Sequence, residues 1–396
     1  MSFINTDTSV NPSLQLIRQN IYLDDLTSPD PYDVWNLKIG QVIKKIYYKN
    51  RLLGIIPAAA LTLFDFYLNN SLRIGYRQRV YPIAHSLKAL TSLILYAKTR
   101  ENEYLQLAEK SLEWLSQNYS RNYSGYCWGI NMPWVSKIAT YDEEVPHITH
   151  TPYALEAFVN YQKESKTVKY NKIIDSVLNF IEEDLSKIID TKDTLALSYS
   201  PRTESRIVVN ANSYAMFCYA LLKERTPNLS NHIEDKIKRL YNFISSQQND
   251  DGSWYYFADR KKGNFIDCFH SCFILKNIYK VNQITPLPGS NYILDKGFQY
   301  LKDHFWDDSK YLFTRFSKTD RMSLVKYDLY DNAEMLNLAI LLNQNDLIEI
   351  LSNSIKENFI VNTDIYSNII YPNVRINKNT LRWASFPYLY ALSKTI

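Results

Sequence analysis

Polar side chains able to move protons or hold hydroxyls recur where successive helical stretches begin. They are Tyr81 and His85; His147, Thr149 and His150; Asn210 and Asn212; Asp267 and His270; Tyr330, Asp331, Asn332 and Glu334; Arg382 and Trp383. A helix start presents free N–H groups and the positive end of its dipole, which suits hydroxyls or a carboxylate. Thr, Asn and Asp are also favoured helix caps whatever a protein does. Capping does not account for histidines, Tyr330 and Arg382 at the same level. Imidazole, phenol and carboxyl groups are the usual proton carriers, so His150, Asp251, His270, Asp267 and Tyr330 are the catalytic candidates. Tyr81, His85, His147, Asn210, Asp331, Glu334 and Arg382 are candidates for holding a substrate around them.

Each remaining group has a plainer alternative. Asp250 and Asp251 precede Gly252 in "QQNDDGSWYY" (247–256), and an Asp-Asp-Gly turn is ordinary chemistry for stopping a helix. Alternatively one of them is a general acid or base, with Asp267, Glu143, Glu144 or Glu334 opposite; carboxylates about 6.5–9.5 Å apart suit an inverting glycosidase. Trp128, Trp134, Trp254, Tyr255, Tyr256 and Trp383 either stack on sugar faces or pack the loops together. Arg202 and Arg206, in "SPRTESR", either grip a uronate carboxylate bidentately or are surface residues. Cys268, His270 and Cys272 suggest zinc. Helical spacing puts the cysteines on one face and turns His270 away. Buried thiols, no metal and no cofactor are the expectation.

The elements that position these groups are helical. Apolar residues three and four apart mark pairs at 82–98 with 104–119, 151–165 with 170–189, 212–224 with 232–248, 267–280 with 292–306, and 332–344 with 346–359. The stretch 381–394 stands alone, with 33–49 as its expected partner. Links within a pair are short; links between pairs are long and aromatic. A period of about 55–60 residues is that of stacked helical hairpins, each needing neighbours to bury its apolar face. The expected fold is all-α: an (α/α)6 toroid with the long loops at one face. Short β-hairpins in those loops are expected at "GSWYYF" and "YLFTRF". One domain spans 1–396, with 1–30 an N-terminal extension and 33–396 the helical ring.

Composition narrows the function classes. The net charge is only +4 over 396 residues, and no basic run exceeds "RKK" at 260–262, which argues against nucleic acid. Nine glycines suit helices, and 32 tyrosines with 7 tryptophans suit a broad amphipathic surface. The first twenty residues lack a basic segment followed by an apolar one, so no secretion signal is expected. The apolar run 52–68 contains Pro57 and Asp65 and is shorter than the roughly 20 residues of a membrane span. No span is expected, while docking to membrane glycosyltransferases stays open. Four cysteines do not make a disulfide framework. The expected location is cytoplasmic.

The ordered set "YSGYCWGINMPW" (123–134), "TPYALEA" (151–157), "SYSP…NAN" (198–212), "QQNDDGSWYY" and "IDCFHSCFIL" (266–275) resembles α/α-toroid proteins encoded with bacterial surface-polysaccharide genes. These are loosely like six-hairpin glycosidases and toroidal uronate C5-epimerases. The resemblance covers about residues 80–280 and implies an oligo- or polysaccharide substrate. Two chemistries follow. In one, Tyr or His takes the proton beside a uronate carboxylate while arginine neutralises the enediolate, giving an epimerase or lyase. In the other, paired carboxylates hydrolyse a glycosidic bond. A non-catalytic glycan-binding or scaffold toroid is a third reading. A prenyl-chain enzyme would need an apolar funnel and a D-D-x-x-D motif, which the chain lacks.

Overall fold

In the computed structural model, which describes residues 11–319 and 323–396, six helices are enclosed on every side over much of their length. Pro82–Thr99 buries every residue from Pro82 to Leu93, Val209–Lys223 every residue from Val209 to Ala220, and Leu329–Leu341 every residue from Leu329 to Ala339. A helix apolar all round is stable only when other helices cover it. Accordingly Pro82–Thr99, Thr151–Ser165, Val209–Lys223, Cys268–Ile284, Leu329–Leu341 and Phe386–Thr395 pack each on the next, and the last packs back on the first. Their sequence partners bury one stripe only. In Ser230–Ser246 that stripe is Ile233, Ile237, Leu240, Tyr241 and Ile244, and it faces Val209–Lys223.

Three expectations need correction. The outer partner of Phe386–Thr395 is Pro12–Ile21, inside the segment read as an extension; Lys38–Lys49 instead packs on Arg51–Leu63. The helical run expected to reach 189 ends at Asp184, and Lys187–Asp190 pairs with Leu195–Leu197 as a β-hairpin. "GSWYYF" makes no hairpin of its own, only a bridge from Phe257 to Val208.

A sheet absent from the sequence reading joins Val325–Asp328, Ile360–Val361, Asp364–Ile370 and Val374–Lys378. Its buried positions include Ser367, Asn368, Asn377 and Asp328. Each has a polar partner: Asn377 Nδ2 donates to Asn368 Oδ1 at 2.7 Å, Ser367 meets the Thr380 hydroxyl, and Asp328 accepts from Arg315. Polar residues at buried positions erase the alternation by which a strand is recognised. "YLFTRF" does form strands, Leu312–Phe313 and Phe316–Lys318, each paired with a different segment.

Candidate functional site

The caps and first turns of the six ring helices enclose a cavity of about 310 Å³, at the small end for a small-molecule site (about 300–1,000 Å³). Ile83, His150, Tyr153, Asn210, Tyr214, Asp267, His270, Tyr330, Arg382 and Trp383 line it from the ring. Trp134, Tyr199, Tyr256 and Phe316 line it from the loops, and Trp35, Lys44 and Tyr48 from the Lys38–Lys49 hairpin and its approach.

His270 lies in the first turn of Cys268–Ile284, three residues after Asp267, the residue preceding that helix. That spacing brings Nδ1 to 2.7 and 2.9 Å from the two Asp267 carboxylate oxygens. Asp267 is 3% exposed at its side chain and His270 20%. A buried carboxylate accepting from Nδ1–H fixes ring orientation and tautomer and leaves Nε2 free to accept a proton. Phe269 and Tyr256 pack on the ring, with centroids 3.9 and 4.5 Å away. Among the described residues Asp267 is the only carboxylate lining the cavity.

His150 precedes Thr151–Ser165 on the same cavity, its Nδ1 3.2 Å from Thr149 Oγ1. Burial, then the nearby His147 and Arg382, hold its pKa well below the usual 6.5, so the ring is neutral. Burial likewise pushes the phenols of Tyr330, Tyr153 and Tyr214 well above 10. These tyrosines stay protonated and serve as hydrogen-bond donors, so base chemistry falls to histidine. Tyr153 and Tyr214 meet hydroxyl to hydroxyl at 2.8 Å.

Two arginines reach the cavity, each already paired. Arg382 donates from Nε and Nη2 to the two oxygens of buried Asp30 at 2.6 and 2.9 Å. Arg315 donates from Nη1 to Asp328 at 2.6 Å and from Nη2 to the Tyr32 hydroxyl at 3.2 Å. Asp328 also accepts from the Trp383 indole. Paired arginines still present N–H groups, but with much of their charge balanced.

Of the candidates named from sequence, Thr149, His150, His270, Asp267, Tyr330, Asn210, Trp134, Tyr256, Arg382 and Trp383 meet at this cavity. The others lie elsewhere. Arg202 is an exposed residue paired with Asp142, and Arg206 is locked to Asp259 over the Phe257 ring. The indoles of Trp128 and Trp254 are buried and donate to the Leu115 and Ile244 carbonyls at helix ends, as packing residues do. His85 stacks on Trp114, and His147 sits between Tyr141 and Tyr199 with neither nitrogen bonded. Asp331 accepts from the Phe269 N–H, Glu334 pairs with Lys276, and Tyr81 is wholly buried beside Arg382. Cys268 and Cys272 are buried free thiols, while His270 turns to Asp267.

Asp251 lies outside the cavity lining and holds the turn that follows Ser230–Ser246. Its Oδ1 accepts from the Ser253 N–H and hydroxyl at 3.0 and 2.6 Å. Gly252 turns at φ 95°, where a Cβ would lie 2.4 Å from the Lys296 carbonyl. Asp251→Ala therefore lowers stability by about 0.5–2 kcal/mol and leaves turnover unchanged; paired urea melts and rate assays check both halves. Arg315, Tyr32, Tyr153, Tyr199 and Tyr214 escaped the sequence reading. Tyr32 lay beside the supposed extension, and only the position of Tyr153 within "TPYALEA" carried a signal.

No protein-family model and no curated protein matches the sequence. Solved structures do share its shape. A D-mannose isomerase is similar over 100% of both chains at TM-score 0.62 with 13% identity. A sugar epimerase from a ruminal bacterium is similar over 81% of this chain and 90% of its own, at TM-score 0.61 and 14% identity. The α-mannanase BT2949 of Bacteroides thetaiotaomicron, from glycoside hydrolase family 76, is similar over 92% and 97%, at TM-score 0.60 and 11% identity. The fold is thus the α/α-toroid type of these carbohydrate enzymes.

Proposed function

We propose that this toroid has the full (α/α)6 arrangement and is a carbohydrate-active enzyme. Its reaction is transfer of a proton at the carbon beside a sugar carbonyl or carboxylate, as an epimerase, isomerase or lyase requires. The carrying observation is His270, oriented by buried Asp267 and facing the same cavity as the neutral ring of His150. His270 Nε2 removes the proton and, as the imidazolium so formed, gives it back to the intermediate, while the neutral ring of His150 is the second base, able to take a proton on its own side of the cavity. Arg382, Arg315 and the protonated tyrosines donate hydrogen bonds to the enediolate oxygen as it gains charge. Solved structures of this fold named as a sugar epimerase and a D-mannose isomerase support the reading.

Paired-carboxylate hydrolysis fits less well, because Asp267, the one cavity carboxylate among the described residues, is occupied by His270. The arginines bring their own aspartates, so a neutral sugar suits them as well as a uronate. The setting we propose is bacterial surface-polysaccharide synthesis in the cytoplasm, on an oligo- or polysaccharide or its precursor. Incubation with neutral and uronate saccharides, followed by chromatography, tests the reaction class. A new epimer, ketose or unsaturated sugar is expected. New reducing ends with intact stereochemistry would replace this reading by hydrolysis.

A further inference from the structure

The helical hairpin Lys38–Lys49 and Arg51–Leu63, continued by Phe64–Asn69, contributes little to the ring's closure. The helices are joined through Asn50, and Gly54 lets them meet closely: a Cβ there would lie 2.3 Å from Tyr47 Cα. Ile43 and Gly40 face inward, whereas Ile39, Val42 and Ile46 form an exposed stripe on the first helix. On the second, Leu52 is 84% exposed, Ile56 76% and Leu68 69%, with Leu53, Leu63, Phe64 and Tyr67 exposed beside them. The run set aside in the sequence as too short is thus one helical segment, Arg51–Asn69, long and apolar enough by length and composition to cross a membrane. A continuous exposed apolar face of this kind marks a contact surface.

We infer that this face beds in the surface of an anionic phospholipid bilayer. Charge identifies the occupant: between Val34 and Phe64 there are five basic residues and no acidic one, whereas the whole chain nets only +4. Lys38, Lys45 and Lys49 are exposed alongside the apolar stripe. Basic residues flanking an apolar helical face, with aromatic rings at its border, are the pattern of helices that lie in the interface plane.

The hairpin lies on the bilayer and does not cross it, because its far end is stitched to the ring. Asn70 and Asn377 exchange two hydrogen bonds at 2.9 Å, Arg73 donates to the Asp30 carbonyl at 3.1 Å, and Asp65 is buried against the Tyr76 hydroxyl. Since Lys44 and Tyr48 also line the cavity, docking sets one wall of the site at the lipid surface. This inference stands independently of the chemistry proposed for the cavity.

Flotation with vesicles of phosphatidylcholine, with and without phosphatidylglycerol, tests it, alongside light scattering of the free protein. The intact chain is expected to float at least tenfold more with phosphatidylglycerol, less so as salt rises. The triple variant Leu52→Asn, Leu53→Asn, Ile56→Asn, whose side chains touch no core, is expected to lose at least tenfold in binding at an unchanged melting temperature. Failure to bind either vesicle overturns the inference. So does a soluble dimer that the triple variant converts to monomer, which would make the face a contact between copies of this chain.

Discussion

Replacing His270 with glutamine lowers turnover by about 10²–10⁴-fold, the usual worth of a positioned acid–base group. Glutamine keeps an N–H able to donate to Asp267, so the buried carboxylate retains a partner and the variant folds. It cannot take up a proton. Asp267→Asn removes the anion that fixes the Nδ1–H tautomer while leaving the ring in place, so kcat falls and KM changes little. His150→Gln separates the two proton carriers. Exchange of the substrate's own proton persists through His270, but the second base is lost and product formation falls with it. Unchanged turnover in the His270 variant would remove the site from this cavity. The effect is specific to histidine because the neighbouring phenols are held protonated by burial.

Acid provides the other large effect, on stability. Burial pushes His147 down to about 3; burial and then the nearby Lys88 bring His85 to about 3. Unfolded histidine titrates near 6.5. Between about 6.5 and 3 the unfolded chain takes up protons that the folded chain refuses, so stability falls as pH drops through that window. At about 1.4 kcal/mol per unit, each ring costs about 2 kcal/mol at pH 5, and the pair about 4 kcal/mol. Native stability is only about 5–15 kcal/mol. Buried acids work in the opposite sense: burial, then Asp30, raises Asp33 to about 7. The readout is therefore a difference between chains. Between pH 7.5 and 5, the double variant His85→Phe, His147→Phe should lose about 4 kcal/mol less than the parent in urea melts. His147 forfeits no hydrogen bond in that exchange, and the His85 ring lies stacked on Trp114 at 4.1 Å. Equal pH slopes in the two chains would contradict the buried-neutral account.

The ring was legible because its signal is local. Apolar residues three and four apart gave nine of the ten paired helices to within a few residues, the run 170–189 being the exception, and long loops alternating with short ones implied a single functional face. His270, Asp267, His150, Tyr330 and Arg382 were found because helix starts share a level in such a ring. What failed depended on partners distant in sequence. Trp128 and Trp254 look like sugar platforms until their indoles are seen reaching helix-end carbonyls. Arg202 and Arg206 look like carboxylate grips until Asp142 and Asp259 are found beside them. The cavity arginine Arg315 pairs with Asp328 and also reaches Tyr32, nearly three hundred residues away in the chain. The sheet around Asp364–Ile370 was hidden because its buried positions carry serine and asparagine.

The most direct test of the central claim is proton NMR of the purified chain with neutral and uronate saccharides in heavy water. Deuterium is expected to enter the ring carbon beside the carbonyl or carboxylate, with the His270→Gln variant slower by about 10²–10⁴-fold. Substrate conversion without deuterium at any carbon would contradict proton transfer as the reaction of this cavity.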